Sequence, residues 1–227
     1  MTTSTLTGHP PTTTTSPTRL PTTSPCHVTI DPAILYWGTP VVLVSTCNED
    51  GSANLAPISS AFWLGTTAVL GFGLASHTLA NLRRTGELVL NLPGAEQVDA
   101  VDRLALTTGA ASVNAWKQAA GYTYEPRKFD RAGLTPVASA SVAPPRAGQC
   151  PVAMEARVLD VRLTDVALVT AEVEQVHVHP ELRMAGHPNR VDPNLWRPLI
   201  MSFQRFYGLG EELQPSRLAT VEEEHYR

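Results

Sequence analysis

The sequence predicts an antiparallel, mainly β domain with a few helices between strands, closer to a closed barrel than to a doubly wound sheet. Three observations carry that expectation. Residues 41–46 (Val-Val-Leu-Val-Ser-Thr) and 53–58 are extended runs separated by Asn48-Glu49-Asp50-Gly51, the pattern of a β-hairpin. Residues 152–163 and 166–179 read as two long strands joined at Thr164-Asp165. No Gly-x-Gly-x-x-Gly follows a first strand, so the fingerprint of a dinucleotide-binding parallel sheet is missing.

Taken in order, residues 1–25 are almost wholly Thr, Ser and Pro. They hold too little apolar area to offset the entropy of ordering, which predicts a disordered tail ahead of a domain over 26–210. Residues 27–37 form a short lead-in to the hairpin. Residues 68–72 are a third strand bounded by Gly65 and Gly73. Residues 76–84 read as a short helix, with Leu79 and Leu82 on one face and Thr85-Gly86 as its stop. Residues 88–92 are a fourth strand ended by Pro93-Gly94. Val98, Val101, Leu104 and Ala105 fall at helical spacing, which predicts an amphipathic helix over 96–107. The stretch 109–151 is rich in Ala, Pro and Gly without periodicity and reads as loops with short helical pieces. A last strand is expected over 198–203, and a charged tail, frayed at its end, over 211–227.

Bulk properties exclude several function classes. The 227-residue chain carries a net charge of −4 and no basic run interleaved with aromatics, which argues against nucleic-acid binding. No apolar run reaches the roughly 18 residues a membrane span needs. The N-terminus lacks the charged-then-apolar pattern of a signal peptide, so a cytoplasmic protein is expected. Cys26, Cys47 and Cys150 are odd in number and far apart, which predicts free thiols rather than a disulfide framework or zinc site.

Five segments could carry chemistry, each with a plainer alternative. Asn54, Ala56, Pro57, Ile58, Ser59 and Ser60 form an edge interrupted by proline, suited to the polar rim of a flat heterocycle or simply a bulged strand. Ser76, His77 and Thr78 open a helix, where free N–H groups and hydroxyls make an anion site, or merely a cap. Asn91, inside an apolar strand, needs partners, whether ligand or backbone. His177 and His179 share one face of a strand, and His187 follows in a loop. That spacing permits a metal pair, but no further ligand set is evident, and a substrate-facing or structural role stays open. Arg205 and Tyr207, in the aromatic-rich run that follows Trp196, could line a flat-ligand pocket or pack in an interface. No Gly-x-Ser-x-Gly is present, and Asp99 and Asp102 fall on the solvated face of their helix, so neither nucleophilic nor paired-carboxylate catalysis has support.

The order of these segments resembles the flavin reductase-like family, the FMN-binding split-barrel relatives of flavoredoxin. The resemblance runs through Tyr36-Trp37-Gly38-Thr39-Pro40, the hairpin to Asn54-Leu55-Ala56-Pro57-Ile58-Ser59-Ser60, Ser76-x-Thr78-x-x-Asn81 and the strand carrying Asn91. It covers roughly residues 34–209. It implies a homodimeric split barrel with FMN near the dimer interface, FAD being the other flavin to consider. By the same resemblance Ala56 to Ser60 would border the ring, and Ser76 and Thr78 would hold the phosphate. Asn81 would brace that turn, and Asn91 would lie beside the flavin. The implied activity is an NAD(P)H:flavin reductase, with a flavin-dependent tailoring enzyme or an FMN electron carrier as alternatives. One departure stands out: many such reductases have a Gly-Asp-His-type motif associated with nicotinamide binding, whereas here Gln175-Val176-His177-Val178-His179 has no Gly-Asp before it.

Overall fold

A computed structural model of the chain describes residues 27–221 and 225. The chain divides into two units, residues 1–33 and 34–227. Of the first, residues 27–33 carry no helix or strand. The expected tail over 1–25 and Cys26 lie outside the described residues. The second unit runs through β1 (Trp37–Pro40), β2 (Val42–Cys47), β3 (Ala53–Ile58), β4 (Ala61–Leu64), β5 (Thr67–Phe72), α1 (His77–Thr85), β6 (Glu87–Leu92) and α2 (Val98–Asp102). It continues with β7 (Thr107–Thr108), α3 (Ala115–Ala119), β8 (Thr123–Tyr124), α4 (Lys128–Ala132), β9 (Pro136–Val137) and β10 (Arg146–Ala147). The last elements are β11 (Val152–Leu163), β12 (Ala167–Val178), β13 (Leu199–Ser202) and β14 (Arg205–Gly208).

The main sheet has the order β3-β2-β6-β11-β12-β5-β4, antiparallel throughout. Its two edge strands, β3 and β4, are consecutive in the chain and joined only by Ser59 and Ser60. A three-residue step spans at most about 10 Å, so the two edges must meet and the sheet curls into a barrel with a seam between them. A second antiparallel sheet, β1-β13-β14, lies beside it.

Side chains alternate across the barrel wall as the pleat requires. Val42, Val44, Leu70, Leu88, Leu90, Ala156 and Val169 fill the inside. Val41, Leu43 and Leu55 point outward and are covered by Val101, Leu104 and Phe129 from the segments that follow β6. Full burial of each such Leu or Val contributes about 1.5–3 kcal/mol, so these two layers hold the middle of the chain against the barrel and place it over the seam. Helix α1 begins at Ser76, whose hydroxyl accepts from the Leu79 N–H at 3.3 Å, and ends at Gly86, whose φ of 69° suits a residue without a Cβ.

Several expectations are corrected. The helix predicted over 96–107 is a 3-10 turn at Ala95–Gln97 followed by the five residues of α2. Beyond them the N–H groups of Leu104, Ala105 and Thr107 donate to carbonyls only three residues back, and Leu106 takes φ 52°, which sends the chain into β7. Strand β1 begins at the end of the expected lead-in, and β4 and β14 were not foreseen. The β13–β14 turn uses Phe203 and Gln204 at φ 47° and 61°, the conformation of a tight hairpin without its usual Asn-Gly signature. Strand β12 ends at Val178, so His179 leaves the strand and starts a 3-10 turn. In the described part of the expected charged tail, Arg217–Thr220 forms a short 3-10 turn. Among the described residues no helix is long and apolar enough to cross a membrane.

Candidate functional site

The barrel seam opens into a cleft of about 890 Å³. Ala56 to Ser60 form one lip, and Gly71 to Thr78 form the other. The segment from Val101 to Gly109 closes it from above, and Met201 and Phe206 come from the second sheet. Such a volume lies near the upper end of the roughly 300–1,000 Å³ typical of small-molecule sites.

At one end of the cleft the hairpin turn, β3 and the start of α1 are tied together. Asn54 donates its amide to the Thr46 hydroxyl at 3.2 Å and to the Thr78 hydroxyl at 3.1 Å. Asn81 donates to Thr46 at 3.1 Å and to the Asn48 side-chain carbonyl at 3.0 Å. His77 Nε2 lies 2.8 Å from that same carbonyl, so Nε2 carries the proton and donates. Burial, then the charges of Lys128, Lys117 and Arg84, push the His77 pKa down, which keeps the ring neutral. Because Thr78 Oγ1 already accepts from Asn54, and Ser76 Oγ from Leu79, each hydroxyl has its own proton left to donate. The first N–H groups of α1 and the positive end of its dipole point the same way.

The chain has two lysines, Lys117 and Lys128, and both line this cleft. Lys117 Nζ donates to the carbonyl of Ala75, next to the helix start, at 2.7 Å. Lys128 is 2% exposed and donates to the Thr107 hydroxyl. Among the described residues it makes no ion pair with a carboxylate. Burial lowers its pKa to about 8, with Lys117 adding to the shift and Glu125 opposing it. An anion in the cleft would offset the cost of keeping this cation out of water. Neither lysine was singled out from the sequence. Their rarity in a chain otherwise supplied with arginine is the signal that could have found them.

The remaining candidates separate. Ala56, Pro57, Ile58 and Ser59 line the cleft. Ser60 also does, but its hydroxyl donates to the Gly71 carbonyl at 2.7 Å and so clamps the seam. Asn91 is fully buried on the outer face of the barrel wall and is not a cleft residue. It donates to the Leu43 carbonyl at 2.9 Å and the Ser45 hydroxyl at 2.8 Å, and accepts from the Ala147 N–H at 2.7 Å. The resemblance implied a place for it beside the flavin; in the fold these three protein groups hold its amide. Arg205 and Tyr207 are exposed on β14, facing away from the cleft, which takes Gln204 and Phe206 instead.

His177 and His179 lie outside the main cleft, in a second cavity of about 170 Å³ that they share with Arg146 and Cys150. His177 Nε2 is 2.8 Å from Glu155, a fully buried carboxylate, while His179 Nε2 meets the Gly148 carbonyl at 3.1 Å. Burial works against the charge on Glu155. The N–H groups of Ala140 and Ser141, the Ser141 hydroxyl and His177 more than reverse this and hold its pKa at about 2. The cluster pins residues 140–141 to the barrel wall. Among the described residues no group of three or more His, Cys, Asp or Glu is placed to hold a metal ion. Cys47 and Cys150 are free thiols, half-buried and buried.

Comparison with known proteins gives these features a setting. The family described as flavin reductase like domain matches residues 35–210. An uncharacterized protein of Bacillus subtilis (strain 168), YdfE, is 38% identical over 186 residues, covering 81% of this chain and 90% of its own. Flavoredoxin of Desulfovibrio vulgaris (Miyazaki F) superposes with a TM-score of 0.71 at 21% identity, covering 86% of this chain and 99% of that one. A protein with a split barrel domain from Shewanella frigidimarina NCIMB 400 gives 0.63 at 16% identity, over 79% of this chain and 85% of that one. The barrel with its open seam is thus a split barrel, and the chain belongs to the flavin reductase-like family.

Proposed function

We propose that the cleft binds a flavin through its FMN portion and that the protein is a flavin-dependent oxidoreductase acting as an NAD(P)H:flavin reductase. The observation that carries this reading is Lys128, a buried cation without a carboxylate partner among the described residues, facing a cleft that ends in the hydroxyls of Ser76 and Thr78. The donor set fits a phosphate monoester: two hydroxyls, a helix start and two lysines. The lips fit a flat ring, with Ala56, Pro57 and Ile58 on one side and Gly71 and Phe72 on the other. When bound, the flavin supplies two-electron transfer between a donor and an acceptor.

The chain's own residues bind, orient and exclude water. Asn54 and Asn81 hold Thr78 and the hairpin turn in place before any ligand arrives, so little ordering remains to be done on binding. Leu104 and Phe206 cover the apolar part of the cleft. The fixed positive charge comes from Lys117 and Lys128, since His77 is kept neutral.

Assembly as a homodimer belongs to the same proposal. Trp37, Phe62 and Leu64 are more than half exposed on neighbouring strands β1 and β4, and Trp37 meets Phe203 edge-on at 4.6 Å. Exposed apolar groups of this size mark an interaction surface. The reaction is tested by adding NADPH or NADH anaerobically to the FMN-loaded protein and following the flavin absorbance. Rapid bleaching supports the reductase. Bound bands that do not bleach would move the assignment to an electron carrier or a tailoring enzyme.

A further inference from the structure

The second cavity lies outside the cleft, and among the described residues none lines both. Its volume of about 170 Å³ has room for roughly five waters or for a small organic molecule. Val137 and Arg146 are paired across β9 and β10, and Ala153 and His177 across β11 and β12, so the cavity lies between two hydrogen-bonded ladders. Val137, Ala147, Pro151, Ala153 and Val178 give it apolar walls. Arg146, His177 and His179 supply its polar groups.

Arg146 is the residue in this lining that is always charged. Its Nη2 donates to the Ala138 carbonyl at 3.0 Å. Its Nε–H is buried and has no hydrogen-bond partner among the described residues. Glu155 Oε1, at 3.7 Å, is too far to accept from it. Glu155 does not line the cavity, and its oxygens are already taken by the N–H groups of Ala140 and Ser141, the Ser141 hydroxyl and His177. His177 and His179 direct their Nε2 atoms to Glu155 and to the Gly148 carbonyl, so neither ring satisfies Arg146. A guanidinium carries five N–H donors in a planar fork that matches a carboxylate.

We propose that this cavity is a binding site for a small organic carboxylate, whose charged end meets the Arg146 guanidinium and whose hydrocarbon body lies between Val137, Ala153 and Val178. A buried N–H without a partner is costly, and a carboxylate both satisfies it and pairs the charge. The walls select among anions. An inorganic anion leaves them in water, whereas an alkyl or phenyl body covers them. The site is separate from the cleft, so it stands or falls independently of the flavin reading.

The experiment is a saturation-transfer NMR titration of acetate, butyrate and benzoate on the full-length protein, with and without saturating FMN, and on Arg146→Gln and Val137→Phe. Butyrate should bind about ten-fold more tightly than acetate, since each buried methylene is worth about four-fold. Arg146→Gln should weaken butyrate by about ten-fold or more. Val137 is 38% exposed, so Val137→Phe fills the cavity without disturbing the core. It should abolish binding with Arg146 still in place, and it decides alone if Arg146→Gln does not fold. FMN should leave butyrate binding unchanged. No transfer to any of the three acids overturns the proposal and gives the cavity to water. Equal transfer in the parent and both variants overturns it too, as does loss of transfer on adding FMN, which places the acid in the main cleft.

Discussion

The Asn54 side-chain amide donates to the hydroxyl of Thr78 at 3.1 Å, joining the barrel edge to the first turn of α1 across 24 residues of sequence. The bond fixes which way the Thr78 proton can point, because the oxygen is already an acceptor. Thr78→Val keeps the shape and removes the donor. FMN affinity is expected to fall by about 1–3 kcal/mol, the cost of one charge-assisted hydrogen bond. Fluorescence titration checks it, and unchanged affinity would take Thr78 out of the phosphate site.

Lys128→Met separates stability from binding. In the folded chain the lysine has a pKa of about 8 against an ordinary 10.5, so the unfolded state binds more protons between those values. Stability therefore rises with pH through that window, and below pH 8 the buried charge is a net cost. The flavin-free variant should be more stable than the parent at pH 7 by roughly 1–3 kcal/mol. Its FMN affinity should be lower. The parent's FMN affinity should weaken about ten-fold from pH 7 to pH 9 as Lys128 loses its proton, and the variant should lose that dependence. Thermal melts and titrations at both pH values check the pair of signs.

Gly109 lies against the end of the cleft bounded by His77 and Asn54. A Cβ there would sit 2.5 Å from the His77 ring and 2.7 Å from Asn54 Oδ1. Gly109→Ala must displace both, and both belong to the hydrogen-bonded wall around Thr78. FMN binding should weaken by about 1–3 kcal/mol, the usual scale of overpacking. An isothermal titration showing full affinity would mean that this wall does not shape the site.

What could be read from the sequence is what is encoded locally. The hairpin announces itself through Asn48 to Gly51, and α1 through the Ser76 cap and Gly86, because those residues set backbone geometry within a few positions. The Ser-x-Thr-x-x-Asn arrangement led to Thr78 and Asn81 for the same reason. Strand β4 is four residues long and turns only Ala61 and Trp63 toward the core, between the exposed Phe62 and Leu64, an alternation too short to read. The turn at Phe203-Gln204 takes its positive φ values from pairing with the neighbouring strand, which no local residue choice signals. Lys117, Lys128 and Trp116 reach the cleft from a stretch without periodicity, and only tertiary packing brings them there. Asn91 shows the limit of such reading, because a buried amide needs partners wherever it lies, and here Leu43 and Ser45 of β2 and Ala147 of β10 supply them.

Glu155 governs a different property. Its folded pKa of about 2 against an ordinary 4.5 gives stabilisation that is full above pH 4.5 and is lost as pH falls toward 2. Glu155→Gln should cost about 2–3 kcal/mol at pH 7, since an amide cannot accept from all of Ala140, Ser141 and His177. The gap between parent and variant should close as pH drops from 5 to 2, while FMN affinity at pH 7 stays the same. Melts that remain equally far apart at pH 2.5 would refute the assignment of that acid sensitivity to Glu155.

The most direct test of the phosphate-anchored flavin site is a comparison of FMN with riboflavin, which lacks the phosphate, by fluorescence titration on the parent protein and on Lys128→Met. FMN should bind the parent at least about 100-fold more tightly, in keeping with two or more charge-assisted contacts, and the gap should shrink in the variant. Equal affinities for FMN and riboflavin in the parent would contradict the account, because the hydroxyls, the helix start and the two lysines would then hold nothing.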